Sequence, residues 1–220
     1  MTGARVLPVD PSSPDPGVLA EAAAVLASGQ VVGIPTDTVY GVAVDPWRPG
    51  ATDRLFAAKE RPRRVVLPVL VGGPQQAGLL ADPLSPIASR LVERWWPGPL
   101  TVVVGARADH GADIGGDGRT VGLRCPDHAV VRALCWRAGP LATTSANRHG
   151  EPPTTTAAEL VAALPEVSLV LDAGPCDRPA STVVDASAAP VRLLRAGGLP
   201  WAEVLASLGG RATPGVDSGA

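Results

Sequence analysis

The sequence predicts a single α/β domain built on a mixed sheet. Segments of helical and strand periodicity alternate along the chain with no break in composition, the pattern of helices packed on one sheet. No repeat of fixed period interrupts that alternation. At 220 residues, 45% hydrophobic and 18% charged, the chain can bury a sizeable core and lies outside the disordered class.

The first helix is read from PDPGVLAEAAAVLASGQ. Asp15 caps it, Pro16 suits its first turn, Gly29 closes it, and Val18, Leu19, Ala22, Val25 and Leu26 give it one apolar face. QVVGIP is a short strand stopping at Pro35, and after the polar TDT the run VYGVAV continues as apolar chain. A helix from about Ala51 to Lys59 ends at the Arg61-Pro62 step, because the residue before a proline is pushed out of the α region. VVLPVLV is a buried strand by its β-branched content, with Pro68 suggesting a sheet edge or bulge. SPIASRLVERWW is a helix with Pro86 at its first position. LTVVVGA and TVGLRC are strands around the Gly-rich DHGADIGGDGRT, read as a flexible hairpin.

DHAVVRALCWRAG is the next helix, with His128 in its first turn, and PLATTSAN is a strand running into a loop. TTTAAELVAAL is a helix, SLVLDAG, STVVDAS and VRLLRAG are three closely spaced short strands, and PWAEVLASLG is the last helix. The domain is expected over residues 1–208, with 209–220 a disordered tail.

Composition also excludes. A formal net charge of −2 argues against a protein that coats nucleic acid. No window approaches the roughly 18–20 apolar residues that span a bilayer, and the N-terminus lacks the apolar run of a signal peptide, so no membrane is expected and a cytoplasmic location is. Cys125, Cys135 and Cys176 are odd in number and without C-x-x-C spacing, which supports neither a disulfide framework nor a zinc site. No metal centre is expected from His110, His128 and His149 either, since none is paired at ligand spacing.

Four loop clusters place small polar or cationic groups directly after an apolar strand or helix: PTDTVYG (35–41), KERP (59–62), TTSAN (143–147) and STVVD…LLRAG (181–197). Together they describe a pocket for a polyanionic small molecule, phosphate foremost. Singly, each has a plainer reading: PTDT is equally an Asx/ST turn, TTSAN a cap region, and KERPRR a solvated helix end. Lys59 is the single lysine among 19 basic residues, and no glycines precede it as a P-loop would require. Ser145 lacks the G-x-S-x-G setting of a hydrolase nucleophile.

Taken in order, GIPTDTVYGVAVD, AAKERP, WWPGPLTVVV, VGLRCPDH, PLATTSAN, STVVD and LLRAGG resemble the YrdC-type threonylcarbamoyl-AMP synthases, over about Pro16 to Pro200. The resemblance implies a single-domain twisted mixed sheet flanked by helices around a large basic concave cavity. It implies an enzyme that joins L-threonine, bicarbonate and ATP into threonylcarbamoyl-AMP and pyrophosphate, for the t6A modification at position 37 of ANN-decoding tRNAs. ATP is then a substrate and Mg²⁺ is expected with its triphosphate. The downstream partners are tRNA threonylcarbamoyl-transferase proteins, with a weak tRNA contact besides.

Residue by residue, the family's K-x-R falls on Lys59 and Arg61 and its S-x-N on Ser145 and Asn147, the expected catalytic and nucleotide-binding groups. Thr36 matches a threonine at the amino-acid end and Arg124 an arginine of the substrate cavity. Ser181 and Arg195 match a serine and an arginine that close the nucleotide end. Three positions depart from the pattern. Arg63 to Leu67 replace a Lys-Pro-Leu step, leaving that charge to Arg63 or Arg64; Leu70 stands where some relatives carry histidine; and His149 stands where a small hydroxyl is usual. The competing readings are a YrdC-like RNA-binding protein and a paralogous carbamoyl-adenylate-forming enzyme. Carbamoyl transfer in hydrogenase maturation is disfavoured because the zinc modules of those proteins are absent from this sequence.

Overall fold

The structure, a computed structural model, describes residues 4–58, 62–148 and 150–209. Lys59, Arg61, His149 and the expected tail from residue 210 onward lie outside the described residues. The strands are β1 (Arg5–Pro8), β2 (Val32–Ile34), β3 (Gly41–Val44), β4 (Val69–Leu70), β5 (Leu100–Gly105), β6 (Thr120–Arg124), β7 (Leu141–Ser145), β8 (Leu169–Asp172), β9 (Thr182–Asp185) and β10 (Arg192–Arg195). They form one sheet in the order β1-β8-β2-β3-β7-β4-β6-β5-β9-β10. Pairs β1–β8, β8–β2, β4–β6 and β5–β9 are parallel, and the remaining neighbours are antiparallel, so the sheet is mixed as the sequence predicts.

The helices begin where local chemistry says they should. In α1 (Pro16–Ala27), Asp15 accepts hydrogen bonds from the Gly17 and Val18 amides at 2.7 and 3.0 Å, and Gly29 beyond its end has a φ of +77°. Between α2 (Ala51–Ala58) and α4 (Pro86–Trp95) lies the short α3 (Pro74–Ala77). Ser85 caps α4 through the Ala88 amide at 3.2 Å. In α6 (Ala157–Ala163), Thr156 and Glu159 form a reciprocal capping box. The other helices are α5 (Ala129–Ala138) and α7 (Trp201–Ser207). His128 is the N-cap residue of α5 and so stands one position before its first turn.

Three features depart from the sequence reading. The edge strand β1 was not foreseen, because RVLP is short and mostly exposed and shows no alternation. The single turn of α3 is too short for a periodic signal. Pro68 does not mark a sheet edge: β4 lies centrally, between β7 and β6. Pro68 precedes the strand, so its missing N–H costs no rung of the ladder, and its carbonyl accepts the Thr143 amide at 2.9 Å.

Alternation along the strands divides the core in two. On one face Val42, Val44, Val69, Val102, Val121, Leu123, Val170 and Val184 pack with Leu55 of α2, Leu91 of α4, Leu160 of α6 and Val204 of α7. On the other, Ile34, Ala43, Leu70, Leu141, Leu169 and Leu171 pack with Leu19 and Leu26 of α1 and Val130 and Leu134 of α5. Gly33 lets β2 approach α6: a Cβ there would lie 2.9 Å from the Leu160 side chain. The second face is therefore covered by two helices at one end of the sheet only. Beyond them β5, β6 and β9 present Thr101, Val103, Thr120, Gly122 and Val183, which line a cavity.

Candidate active site

The uncovered part of that face forms a cavity of about 440 Å³. Its floor is the alternate residues of β5 and β6, Thr143, Thr144 and Ser145 of β7 and Val183 of β9, and its walls include the 36–41 turn, Val66 and Pro68 before β4, and Ser181, Leu194 and Arg195. Thr, Ser and Gly dominate the floor because larger side chains there would fill the space. A second hollow of about 910 Å³ lies among Arg54, Arg148, Glu151 and Glu166. It is larger, but none of the described residues expected at the site lines it, so the smaller cavity is the candidate.

Five of the eight expected site residues line this cavity: Thr36, Arg124, Ser145, Ser181 and Arg195. Arg124 is 6% exposed and fully engaged on one side. Its Nε donates to the Gly98 carbonyl at 3.1 Å, one terminal nitrogen donates to Thr38 Oγ1 at 3.1 Å, and the other to the Asp37 carboxylate. The side chains of Arg124 and Asp37 are 7% and 6% exposed, so this is a buried ion pair. Burial pulls the Arg124 pKa down from its ordinary value, Asp37 pushes it back, and the nearby positive charge of Arg195 lowers it further. The guanidinium stays charged regardless.

Thr36 plays a different part. Its hydroxyl donates to the Val39 carbonyl at 2.6 Å and accepts from the Thr38 and Val39 amides at 3.1 and 3.2 Å. Its single hydrogen is thereby used, so in the 2.9 Å contact between the two hydroxyls Thr38 is the donor. In this state Thr36 closes an ST turn and offers little to a ligand; the plainer sequence reading of PTDT describes it well. The turn matters because it aims Asp37 and Thr38 at Arg124.

At the other end, Ser181 Oγ lies 2.9 Å from Thr101 Oγ1. Arg195 clamps the same serine, donating to its carbonyl at 2.7 and 3.2 Å and to its hydroxyl at 3.0 Å. Ser145 donates to Asn147 Oδ1 at 2.6 Å, which leaves the serine's acceptor lone pairs toward other partners. Asn147 is not a lining residue. Its amide holds the Arg148 and Glu151 carbonyls at 2.9 and 2.6 Å, so within S-x-N the serine faces the cavity and the asparagine fixes the loop.

Sequence reasoning missed Asp37, Thr38 and Thr101. An aspartate in PTDT reads as a turn former, and only its partner 87 residues away reveals its role. The described lining holds two arginines among hydroxyls and apolar groups; Lys59 and Arg61, the other expected cations, lie outside the described residues. Arg63, one of the two candidates to replace the missing lysine, is spent elsewhere, on Asp53 and Asp113. Among the described residues no group of three or more His, Cys, Asp or Glu could hold a metal ion. No helix among them is long and apolar enough to cross a membrane.

Known proteins of one family resemble this chain. The Sua5/YciO/YrdC family model, described as "Telomere recombination", matches residues 24–197. A Mycobacterium tuberculosis protein provisionally named a threonylcarbamoyl-AMP synthase is 37% identical over 202 residues, 91% of this chain and 93% of its own length. The threonylcarbamoyl-AMP synthase of Bacillus subtilis is 33% identical over 90% of this chain and 58% of its own. Among solved structures, the crystal structure of P. abyssi Sua5 complexed with L-threonine superposes with a TM-score of 0.83 at 30% identity, over 94% of this chain and 62% of that one. Escherichia coli YciO, at 20% identity and a TM-score of 0.79, shares the fold.

Proposed function

The chain belongs to the Sua5/YciO/YrdC family, and from that premise we propose that it is an L-threonylcarbamoyladenylate synthase, a nucleotidyltransferase serving tRNA modification in the cytoplasm. The observation that carries this reading is a cavity in which two guanidiniums, Arg124 and Arg195, stand near one another above a floor of hydroxyls. A reaction between two anions asks for such a place.

In that reaction the amine of threonine attacks bicarbonate, forming an N–C bond and releasing water. An oxygen of the resulting carbamate attacks the α-phosphorus of ATP, the bond to the bridging oxygen breaks, and pyrophosphate leaves. Nucleophile and electrophile both carry negative charge, so alignment and charge neutralisation supply most of the rate. Arg124, held in plane by Asp37, Thr38 and Gly98, binds the threonine carboxylate as a fork. Ser145, Ser181 and Thr101 orient the carbamate and ribose-phosphate oxygens, and Arg195 closes the nucleotide end. Lys59 and Arg61 neutralise the triphosphate. A magnesium ion would enter with the triphosphate of ATP and offset part of its charge; among the described residues no group of three or more His, Cys, Asp or Glu could hold one.

The test is incubation with threonine, bicarbonate and ATP, with and without Mg²⁺, read by mass spectrometry. The expected product is threonylcarbamoyl-AMP, with pyrophosphate release that depends on threonine, and Lys59→Ala should abolish most of it. Pyrophosphate release indifferent to threonine would overturn the reading. The competing RNA-binding reading predicts RNA affinity at physiological salt without turnover.

A further inference from the structure

The Gly-rich connection between β5 and β6, expected to be a free hairpin, is tied down. Its residues 113–116 dock against residues 62–67, the segment leading into β4. Gly116 N donates to the Arg63 carbonyl at 2.7 Å, and Leu67 N donates to the Ile114 carbonyl at 2.8 Å. Gly115 and Gly116 both have a φ of +73°. A Cβ on Gly115 would fall 2.7 Å from the Arg63 carbonyl, and one on Gly116 2.3 Å from Val66 Cγ2. Val66 in turn lines the cavity.

One side chain locks this docking. Arg63 gives both terminal nitrogens away: one to Asp53 of α2, the other to both oxygens of Asp113 at 2.5 and 2.6 Å. Asp113 also accepts from the Thr52 hydroxyl of α2 at 2.7 Å. The guanidinium carbon sits 4.9 Å from the centre of the Phe56 ring, again on α2. Helix, incoming segment and β5–β6 connection thus meet at a single guanidinium. Its partners are well exposed, Asp53 by 65% and Asp113 by 42%, so such ion pairs add little to global stability. Three acceptors and a ring around one exposed arginine make sense as a positional device.

We propose that Arg63 is a positioning residue whose clasp on Asp53 and Asp113 fixes residues 62–67, and with them the Val66 side chain in the cavity wall, and thereby sets the cavity's affinity for the nucleotide. This rests on the synthase reading only for the identity of the ligand. A loosened clasp lets Val66 move relative to the floor and weakens the bound state without touching the reacting atoms.

The experiment compares wild type with Arg63→Gln, Asp113→Asn and the double variant. Expected are a KM for ATP raised about 10-fold in each, with kcat changed less than about 2-fold, and a double variant no worse than either single. Amide exchange at Leu67 and Gly116, followed in the absence of substrate, should accelerate about 10-fold in all three variants while the β7 amides stay protected. That second measurement stands even if wild type makes no threonylcarbamoyl-AMP, so failure of the clasp and failure of the proposed reaction are told apart. Unchanged exchange, effects that add in the double variant, or a fall in kcat with KM constant would each overturn the proposal.

Discussion

Arg124 is a charge in a place where an unpaired charge is strongly disfavoured, and Asp37 is what keeps it there. Asp37→Ala leaves the guanidinium buried without its counter-ion, which costs about 3–5 kcal/mol in comparable pairs. Urea denaturation should show that loss, while Asp37→Asn should stay folded and lose threonine affinity; a loss under about 1 kcal/mol for the alanine variant would show the pair to be solvated. His128 is a second residue whose surroundings set its chemistry. Its Nδ1 is buried with no hydrogen-bond partner among the described residues, and burial holds its pKa below the ordinary value against the opposing pull of Asp37 and Asp127. The folded state therefore prefers the neutral ring. The contribution is complete above the unfolded pKa of about 6.5 and is lost as pH falls through the lower folded value. Urea midpoints between pH 7.5 and 5 should drop more steeply in wild type than in His128→Gln, and parallel slopes would remove His128 as the cause.

At the scale of elements, the strands of this sheet do two jobs with alternate residues. Val121 and Leu123 of β6 are core, whereas Gly122 between them is cavity floor. A Cβ at Gly122 would meet Thr101 and Val103 at 3.6 and 3.7 Å, ordinary contact distances. Gly122→Val should therefore fold at least as stably as wild type, since a β-branched residue replaces a glycine in a strand at a gain of up to ~1 kcal/mol. Its branches project into the cavity, so ligand binding measured by calorimetry should weaken at least 10-fold. Undiminished binding would mean the floor lies elsewhere. The elements legible in the sequence were those with local signals. Asp15, Ser85 and Thr156 announce α1, α4 and α6, and length announces β5 and β6. What was not legible depended on distant partners. Pro68 reads as an edge until β7 is seen taking its carbonyl, and the glycines of the β5–β6 connection read as freedom until Val66 and Arg63 are seen against them.

For the whole molecule, the mixed α/β architecture followed from alternation, but the strand order did not. Three strands close together near the C-terminus separate in space: β8 goes between β1 and β2, while β9 and β10 complete the opposite end beside β5. β8 pairs with β1 and β2 and β9 pairs with β5, and all of those partners are remote from them in sequence. The cavity arises at the same scale. α1 and α5 cover one end of a face that β5, β6 and β9 extend beyond, and a sheet wider than its helical cover leaves a concave floor. Leu194, 56% exposed at the cavity rim, belongs to this account, because an apolar residue left open at a mouth is apolar surface that a bound ligand could bury.

The alternation within β5 and β6 has a consequence for what the sequence tolerates. Deleting a single residue from either strand would turn valines toward solvent and threonines toward the helices, exchanging lining and core in one step. Such indels would erase catalysis and folding together, whereas point changes on the floor separate them. The gene encoding this chain should accordingly accept substitutions along these strands far more readily than changes in their length.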